Sequence, residues 1–186
     1  MFLKLIAVLA LPVVVFFGGA WVMSEMSNRE HVRDRLHDAA APEDQKPLNQ
    51  RIGYDVSAVT RHWGALDDAG RDAMRRFLEL DLVFPFLYGA ALLTSMLVVW
   101  TTIGRPFQPI WLIAPVIITL VADWTENIVQ WGQLRRFVDG GEFALQAGWI
   151  QMASMATVIK LVFFLGSSLF LSVLVIVMVL SALKQT

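Results

Sequence analysis

The chain alternates long uncharged apolar stretches with shorter polar ones. A helix needs about 20 apolar residues to cross a bilayer, and four stretches reach or approach that length. We expect spans at residues 5–23, 80–100, 107–131 and 156–181. The segment between the first two spans, residues 24–79, is polar. The pattern predicts an all-α integral membrane protein, an antiparallel four-helix transmembrane bundle that forms one membrane domain over residues 1–186.

The fourth apolar region is longer than one span, since between residues 143 and 183 its only charge is Lys160. A single helix of that length would measure about 60 Å, which is about twice the hydrocarbon thickness of a bilayer. We therefore expect residues 143–155 to form an interfacial or protruding lead-in to the span. A short fifth span in residues 143–159 is the alternative.

The first apolar stretch has two interpretations. Lys4, the apolar core and the small residues at 18–20 are the parts of a cleavable signal peptide. The apolar run continues through residues 21–23, however, which is long for a signal-peptide core. We favour a retained span over a cleaved signal.

The polar segment is predicted to be largely helical. Residues 24–38 carry opposite charges at helical spacings, which indicates a solvated extension of the first span. Residues 39–47 form a loop, because Pro42 and Pro47 break a helix there.

Asp55 is suited to cap a short amphipathic helix, whose apolar stripe recurs at three- and four-residue steps through Val56, Val59, Trp63 and Leu66. Such a helix would lie in the headgroup zone or pack under the bundle. Asp67 or Asp68 can cap the next helix. We expect that helix to run straight into the second span, through Ala73, Met74, Phe77 and Leu78.

Composition supports the membrane class. Hydrophobic residues make up 56% of the chain and charged residues 17%, against roughly 45–50% and 25% in soluble domains. A soluble globule and a disordered chain are therefore excluded. A net charge of −1 gives no sign of the excess positive charge expected of a nucleic-acid-binding protein. The absence of cysteine excludes disulfides and thiolate sites, and we expect neither cofactor nor metal.

Basic residues near span ends are concentrated, in a four-span topology, on the membrane side opposite Met1. They are Arg29, Arg33, Arg35, Arg71, Arg75, Arg76, Arg135 and Arg136. The positive-inside rule then favours a cytoplasmic 24–79 segment, in a plasma membrane or a bacterial inner membrane. Lys4 ahead of an apolar run favours the reverse orientation.

Polar residues in or beside spans two to four are the strongest functional indication. Burying such residues in lipid costs free energy, so they usually face the interior of the bundle or a water-filled cavity. The topology places all of them in one half of the membrane. The candidate ligand- or ion-binding residues are Asp81, Tyr88, Asp123, Glu126, Asn127, Thr157 and Lys160.

Helical spacing brings several of these candidates together. Asp123, Glu126 and Asn127 are three and four positions apart and share a face, which Gln130 extends. Pro85 removes one backbone donor and frees the carbonyl of Asp81, which a neighbouring helix must then satisfy. The alternative is that these charges sit at the interface without a network, with Lys160 snorkelling to the headgroups.

Most of the seven tryptophans fall near predicted span ends, which is typical of an aromatic belt at headgroup level. The small residues 89–91 permit close contact between helices. Four spans with membrane-embedded acids resemble the sterol-isomerase and sigma-2-receptor group in architecture only, which assigns no function.

Three functions remain open on the sequence. The first is a noncatalytic accessory or structural subunit with an interior polar network, in contact with lipid and with a membrane-protein partner or a second copy. The second is a small binding or transport protein for an ion, proton, amine or lipid headgroup, acting through Asp81, Asp123, Glu126 and Lys160. The third is an intramembrane enzyme on a lipid-like substrate, with Asp123 or Glu126 as general acid or base.

Overall fold

The structure, a computed structural model, describes Gly18, Trp21 and residues 47–183. This part of the chain is 85% helical and contains no strand. Its α-helices are α1 (Val56–Gly64), α2 (Asp68–Asp81), α3 (Phe84–Thr102), α4 (Ile110–Gly140) and α5 (Ala147–Leu183). Single turns of 3-10 helix lie at Leu48–Gln50 and Glu142–Ala144.

Three helical segments are long and apolar enough to cross a membrane, namely Asp68–Thr102, Ile110–Gly140 and Ala147–Ser181. They correspond to predicted spans two to four and indicate a membrane location. The predicted first span, residues 5–23, lies outside the described residues except for Gly18 and Trp21, which are helical. The predicted extension at 24–38 lies outside them entirely. The described residues thus contain helices that could form three of the four expected spans.

Aspartate caps begin the two short helices. The Asp55 carboxylate accepts a hydrogen bond from the Ala58 N–H at 2.8 Å, as predicted. Of the two candidates for the next cap, Asp67 fills the position and accepts from the Gly70 N–H at 2.8 Å. Each carboxylate satisfies a first-turn N–H that has no partner within its own helix.

Helix α1 packs against the protein with its apolar stripe. Val59, Trp63 and Leu66 are buried in one cluster with Leu134 of α4 and Ile150 of α5. The Trp63 ring also contacts the Phe137 ring, with centroids 5.9 Å apart. Of the two predicted placements, the structure therefore shows packing under the bundle. We call this end of the helices the α1 end.

Helices α2 and α3 together form the segment Asp68–Thr102, which runs into the second span as predicted, although a short turn separates Asp81 from Phe84. The two residues between them form a turn, in which the Val83 N–H donates to the Leu80 carbonyl at 2.9 Å. Pro85, in the first turn of α3, has no N–H to donate to the Asp81 carbonyl. The break therefore follows from the proline.

Helix α5 is continuous over 37 residues. Residues 147–155, expected as a lead-in, are its first turns, and Ile150 and Ala153 are buried at the α1 end. The expected start of the membrane part near residue 156 stays a prediction, and no separate helix of spanning length occurs between residues 143 and 159.

Helices α3, α4 and α5 each run antiparallel to the one before. They enclose a second apolar cluster at the end far from α1. That cluster includes Met96, Val99, Leu112, Val116, Leu174 and Met178. Near its edge α3 and α4 approach closely, because a β-carbon at Gly89 would lie 2.6 Å from the Leu120 Cδ2. Along α4 and α5, the polar residues at 123–130 and 157–160 lie between the two apolar clusters.

Candidate functional site

An ion-pair cluster joins α4 and α5. The Lys160 Nζ lies 3.1 Å from the Asp123 Oδ1 and 2.5 Å from the Glu126 Oε2. The two carboxylates share a face of α4 because they are three residues apart. The exposed fraction of the side chain is 13% for Lys160, 5% for Asp123 and 0% for Glu126, so the ammonium is held inside the protein. The interpretation of these charges as interfacial groups without a network is therefore wrong.

The Asp123 carboxylate receives donors from three helices. The Tyr88 hydroxyl of α3 donates to its Oδ2 at 2.7 Å. The Asn127 amide, one turn later on α4, donates to its Oδ1 at 3.3 Å, and the Lys160 ammonium of α5 donates to the same oxygen. One buried carboxylate thus connects every membrane helix that the structure describes.

The Glu126 carboxylate extends the network towards the α1 end. The Gln130 side-chain amide donates to its Oε1 at 3.0 Å and also to the Tyr54 hydroxyl at 3.0 Å. The Tyr54 backbone N–H donates to the Ser154 Oγ at 2.8 Å. Thr157 is fully buried beside Glu126 and Tyr54, and its hydroxyl donates to the Ala153 carbonyl of its own helix at 3.1 Å. The segment before α1 is therefore tied to the intramembrane cluster.

Tyr54 lies outside the spanning segments and acts as a neutral hydrogen-bonding group. Burial raises the pKa of its hydroxyl far above the ordinary range, and the nearby Glu126 charge raises it further. Tyr54 therefore keeps its proton under all ordinary conditions.

The turn between α2 and α3 is held by side chains of α4. The Asn127 Nδ2 donates to the Asp81 carbonyl at 3.1 Å, which is the carbonyl that Pro85 leaves without a helical donor. The Trp124 indole N–H donates to the Leu82 carbonyl at 3.0 Å. The prediction that a neighbouring helix satisfies the freed carbonyl is confirmed.

The Asp81 carboxyl lies beside this network and is buried. Among the described residues, no Lys or Arg nitrogen lies within 4.0 Å of it, and the neighbouring Asn127 amide donates instead to the Asp81 backbone carbonyl and to Asp123. The fully buried Asn127 Oδ1 has no hydrogen-bond partner there. The described cluster thus contains three carboxyl groups and one ammonium, with one open acceptor.

The structure assembles all seven candidate residues. Asp123, Glu126, Asn127, Lys160 and Tyr88 join one network of hydrogen bonds and ion pairs. Asp81 borders it through its backbone carbonyl, which accepts from Asn127, and Thr157 lies beside Glu126. Whether these residues bind a ligand stays a prediction.

Two members of the network are not among the seven candidate residues. Gln130 is predicted from the sequence to continue the polar face of α4 one turn beyond Glu126, but it is not named there as a binding residue. Tyr54 could not be found, because its partner Gln130 is 76 residues away and no periodicity relates them.

The tryptophans have varied surroundings. Trp63 is buried in the core of the α1 end rather than at a span end. Trp100, Trp124 and Trp131 donate their indole N–H groups to Phe107, Leu82 and Glu79. Trp21, Trp111 and Trp149 are exposed. The aromatic belt stays a prediction.

The described residues contain no group of three His, Asp or Glu side chains arranged to hold a metal ion. No family model, curated protein or solved structure matches the chain. Its function is therefore argued from the geometry of the polar network.

Proposed function

We propose that this protein is a noncatalytic integral membrane protein, an accessory or structural subunit, whose interior polar network fixes the arrangement of its helices. The observation that carries the proposal is the shared ion pair of Lys160 with Asp123 and Glu126. Tyr88, Asn127 and Gln130 supply further donors to the two carboxylates. The protein's own groups thus occupy the oxygens that an active site would direct at a substrate.

The physical argument starts from the cost of burying charge. Removing a carboxylate and an ammonium from water costs several kcal/mol each, and only good geometry with additional hydrogen bonds offsets that cost. Lipid offers helices no hydrophobic drive to associate, so packing and polar contacts between helices determine their arrangement. A network that joins α3, α4 and α5 at one level is suited to set their register.

The accessory role is supported by the outer surface of α5. Val162, Leu165, Leu169 and Ile176 are more than half exposed, and they form an apolar surface that lipid or a membrane-protein partner would cover. The proposal places a membrane-protein partner there, in addition to lipid.

Co-purification tests the subunit role. The full-length protein, extracted from its native membrane in mild detergent, is expected to bring down a membrane protein in fixed stoichiometry. Leu165→Ser and Leu169→Ser should release that partner while the thermal stability in detergent is retained. A lone monomer that keeps its cellular phenotype without a partner would contradict the proposal.

A second candidate function is binding or transport of a small cationic or hydrogen-donating ligand at Asp81. It is favoured by the unpaired Asp81 carboxyl beside the open Asn127 Oδ1. Asp81→Asn separates the two functions: lost phenotype with unchanged stability supports a ligand site, whereas parallel loss of both supports the packing role. No comparable observation favours the intramembrane enzyme, since Asp123 and Glu126 are both engaged by Lys160.

A further inference from the structure

An apolar groove runs between α4 and α5 and encloses about 430 Å³. Its floor is formed by the buried small side chains of Ala122 and Ala156. Exposed large side chains, including Val121 and Met155, form its walls. Small residues between larger ones allow another helix to approach closely.

The groove lies on the side of α4 that faces away from α3. Helix α4 contacts α3 through Asp123 and Trp124, and it contacts the turn before α3 through Trp124 and Asn127. The groove instead uses Val121 and Thr125, which helical geometry places on the opposite face. The α4–α5 pair is therefore covered by α3 on one side, and none of the groove-lining residues on the other side is contributed by another described helix.

We propose that residues 5–23 of the same chain occupy this groove as a helix parallel to α4 and antiparallel to α5. These 19 residues carry no charge and are long enough to cross the apolar layer. The groove matches them chemically, because Thr125 provides the one polar side chain among its lining residues and none of them is charged.

The two described residues of this segment define its orientation. Gly18 and Trp21 are helical, exposed and three positions apart, so they share the outward face. The opposite face of that helix carries Phe16, Ala20 and Met23. Ala20 on that face is small enough to approach the small residues of the groove floor closely.

The connecting chain is long enough for this placement. The 23 residues 24–46 link the segment to Pro47 and reach about 75 Å when extended. The chain re-enters at the α1 end, where the Tyr54 N–H donates to the Ser154 Oγ. Ser154 lies at the same level along α5 as the groove residues Met152 and Met155, on another face of the helix, so the link returns at the height of this part of the groove.

Cysteine cross-linking tests the proposal without background, because the chain has no cysteine. Thr125→Cys is combined in turn with single cysteines at positions 16–23, and disulfide formation is measured in native membranes. A disulfide requires Cα atoms within about 7 Å, so Ala20→Cys should cross-link within the monomer about tenfold faster than the outward Gly18→Cys. When Met155→Cys, on the other wall of the groove, is used in place of Thr125→Cys, Ala20→Cys should again cross-link faster than Gly18→Cys.

Every other pattern overturns the proposal. Cross-links that form only between two chains assign the groove to a second copy. Equal rates of disulfide formation for Ala20→Cys and Gly18→Cys, or no cross-link to either wall, would indicate that lipid fills the groove. Mass spectrometry of the purified protein adds one outcome, since removal of residues 1–23 as a cleaved signal also contradicts the proposal. Thermal stability of each cysteine variant shows that the compared proteins are folded.

Discussion

The side-chain amide of Asn127 donates a hydrogen bond to the backbone carbonyl of Asp81 across 46 residues of sequence, at 3.1 Å. Pro85 creates the need for this contact, because its nitrogen carries no hydrogen to donate to that carbonyl. The break between α2 and α3 is therefore secured by a side chain of α4.

Asn127→Leu should destabilise the protein, because it leaves the Asp81 carbonyl without a donor and removes one donor from Asp123. A buried carbonyl without a partner costs about 1–3 kcal/mol. Thermal unfolding in detergent measures the loss. Pro85→Ala restores a helical N–H and should recover part of that stability in the Asn127→Leu background. Identical losses with and without Pro85 would show that the two residues are not coupled.

Tyr88→Phe should weaken the link between α3 and α4. The substitution keeps the ring, which contacts Phe164 at 5.6 Å, and removes only the hydroxyl that donates to Asp123. A hydrogen bond to a charged group contributes about 1.5–3 kcal/mol. The loss should fall to about 0.5–1.5 kcal/mol in the Asp123→Asn background, where the amide oxygen still accepts but carries no charge. An undiminished loss there would contradict this account.

Gly89→Ala and Gly132→Ala form a matched pair. A β-carbon at Gly89 would lie 2.6 Å from the Leu120 Cδ2, whereas one at Gly132 meets nothing within 4 Å. Overpacking costs about 1–3 kcal/mol, and alanine otherwise stabilises a helix interior by about 0.5–1 kcal/mol. Gly89→Ala should therefore lower, and Gly132→Ala slightly raise, the unfolding temperature. Equal shifts would show that α3 and α4 are not in close contact.

The Asp55 carboxylate should make the free energy of unfolding depend on pH. The Ala58 N–H and then the Ser57 hydroxyl hold the pKa of Asp55 below its usual value in the folded protein. Its contribution is complete above the unfolded pKa of about 4 and is lost as the pH falls through the lower folded value.

Asp55→Asn provides the control for this prediction, because asparagine caps a helix equally well without titrating. The difference in unfolding temperature between wild type and Asp55→Asn should change as the pH is lowered through that range. Asp55→Ala should cost about 1 kcal/mol at neutral pH. A pH-independent difference between wild type and Asp55→Asn would contradict the role of the charge.

Local spacing explains what could be predicted of the network. Asp123, Glu126 and Asn127 lie within two turns of one helix, so their common face follows from the sequence. The need to satisfy the Asp81 carbonyl follows in the same way from Pro85. The caps at Asp55 and Asp67 also depend only on neighbouring residues.

Contacts between distant segments could not be predicted. The fourth apolar region exceeds the thickness of a bilayer, so its sequence allows Lys160 either inside the protein or at the headgroups. The pairing with α4 decides this in favour of the interior. The contact between Tyr54 and Gln130 depends on how α1 packs, which no local pattern encodes.

The central claim is that the ion pair of Lys160 with Asp123 and Glu126 serves helix packing, and thermal unfolding of two variants in detergent tests it most directly. Lys160→Met leaves two buried carboxylates without their cation and should cost about 3–5 kcal/mol. Adding Asp123→Asn and Glu126→Gln removes those charges and should recover most of the stability, with the cellular phenotype following the amount of folded protein. Full stability in the triple variant with a lost phenotype would contradict the claim, as would a single variant as stable as the wild type.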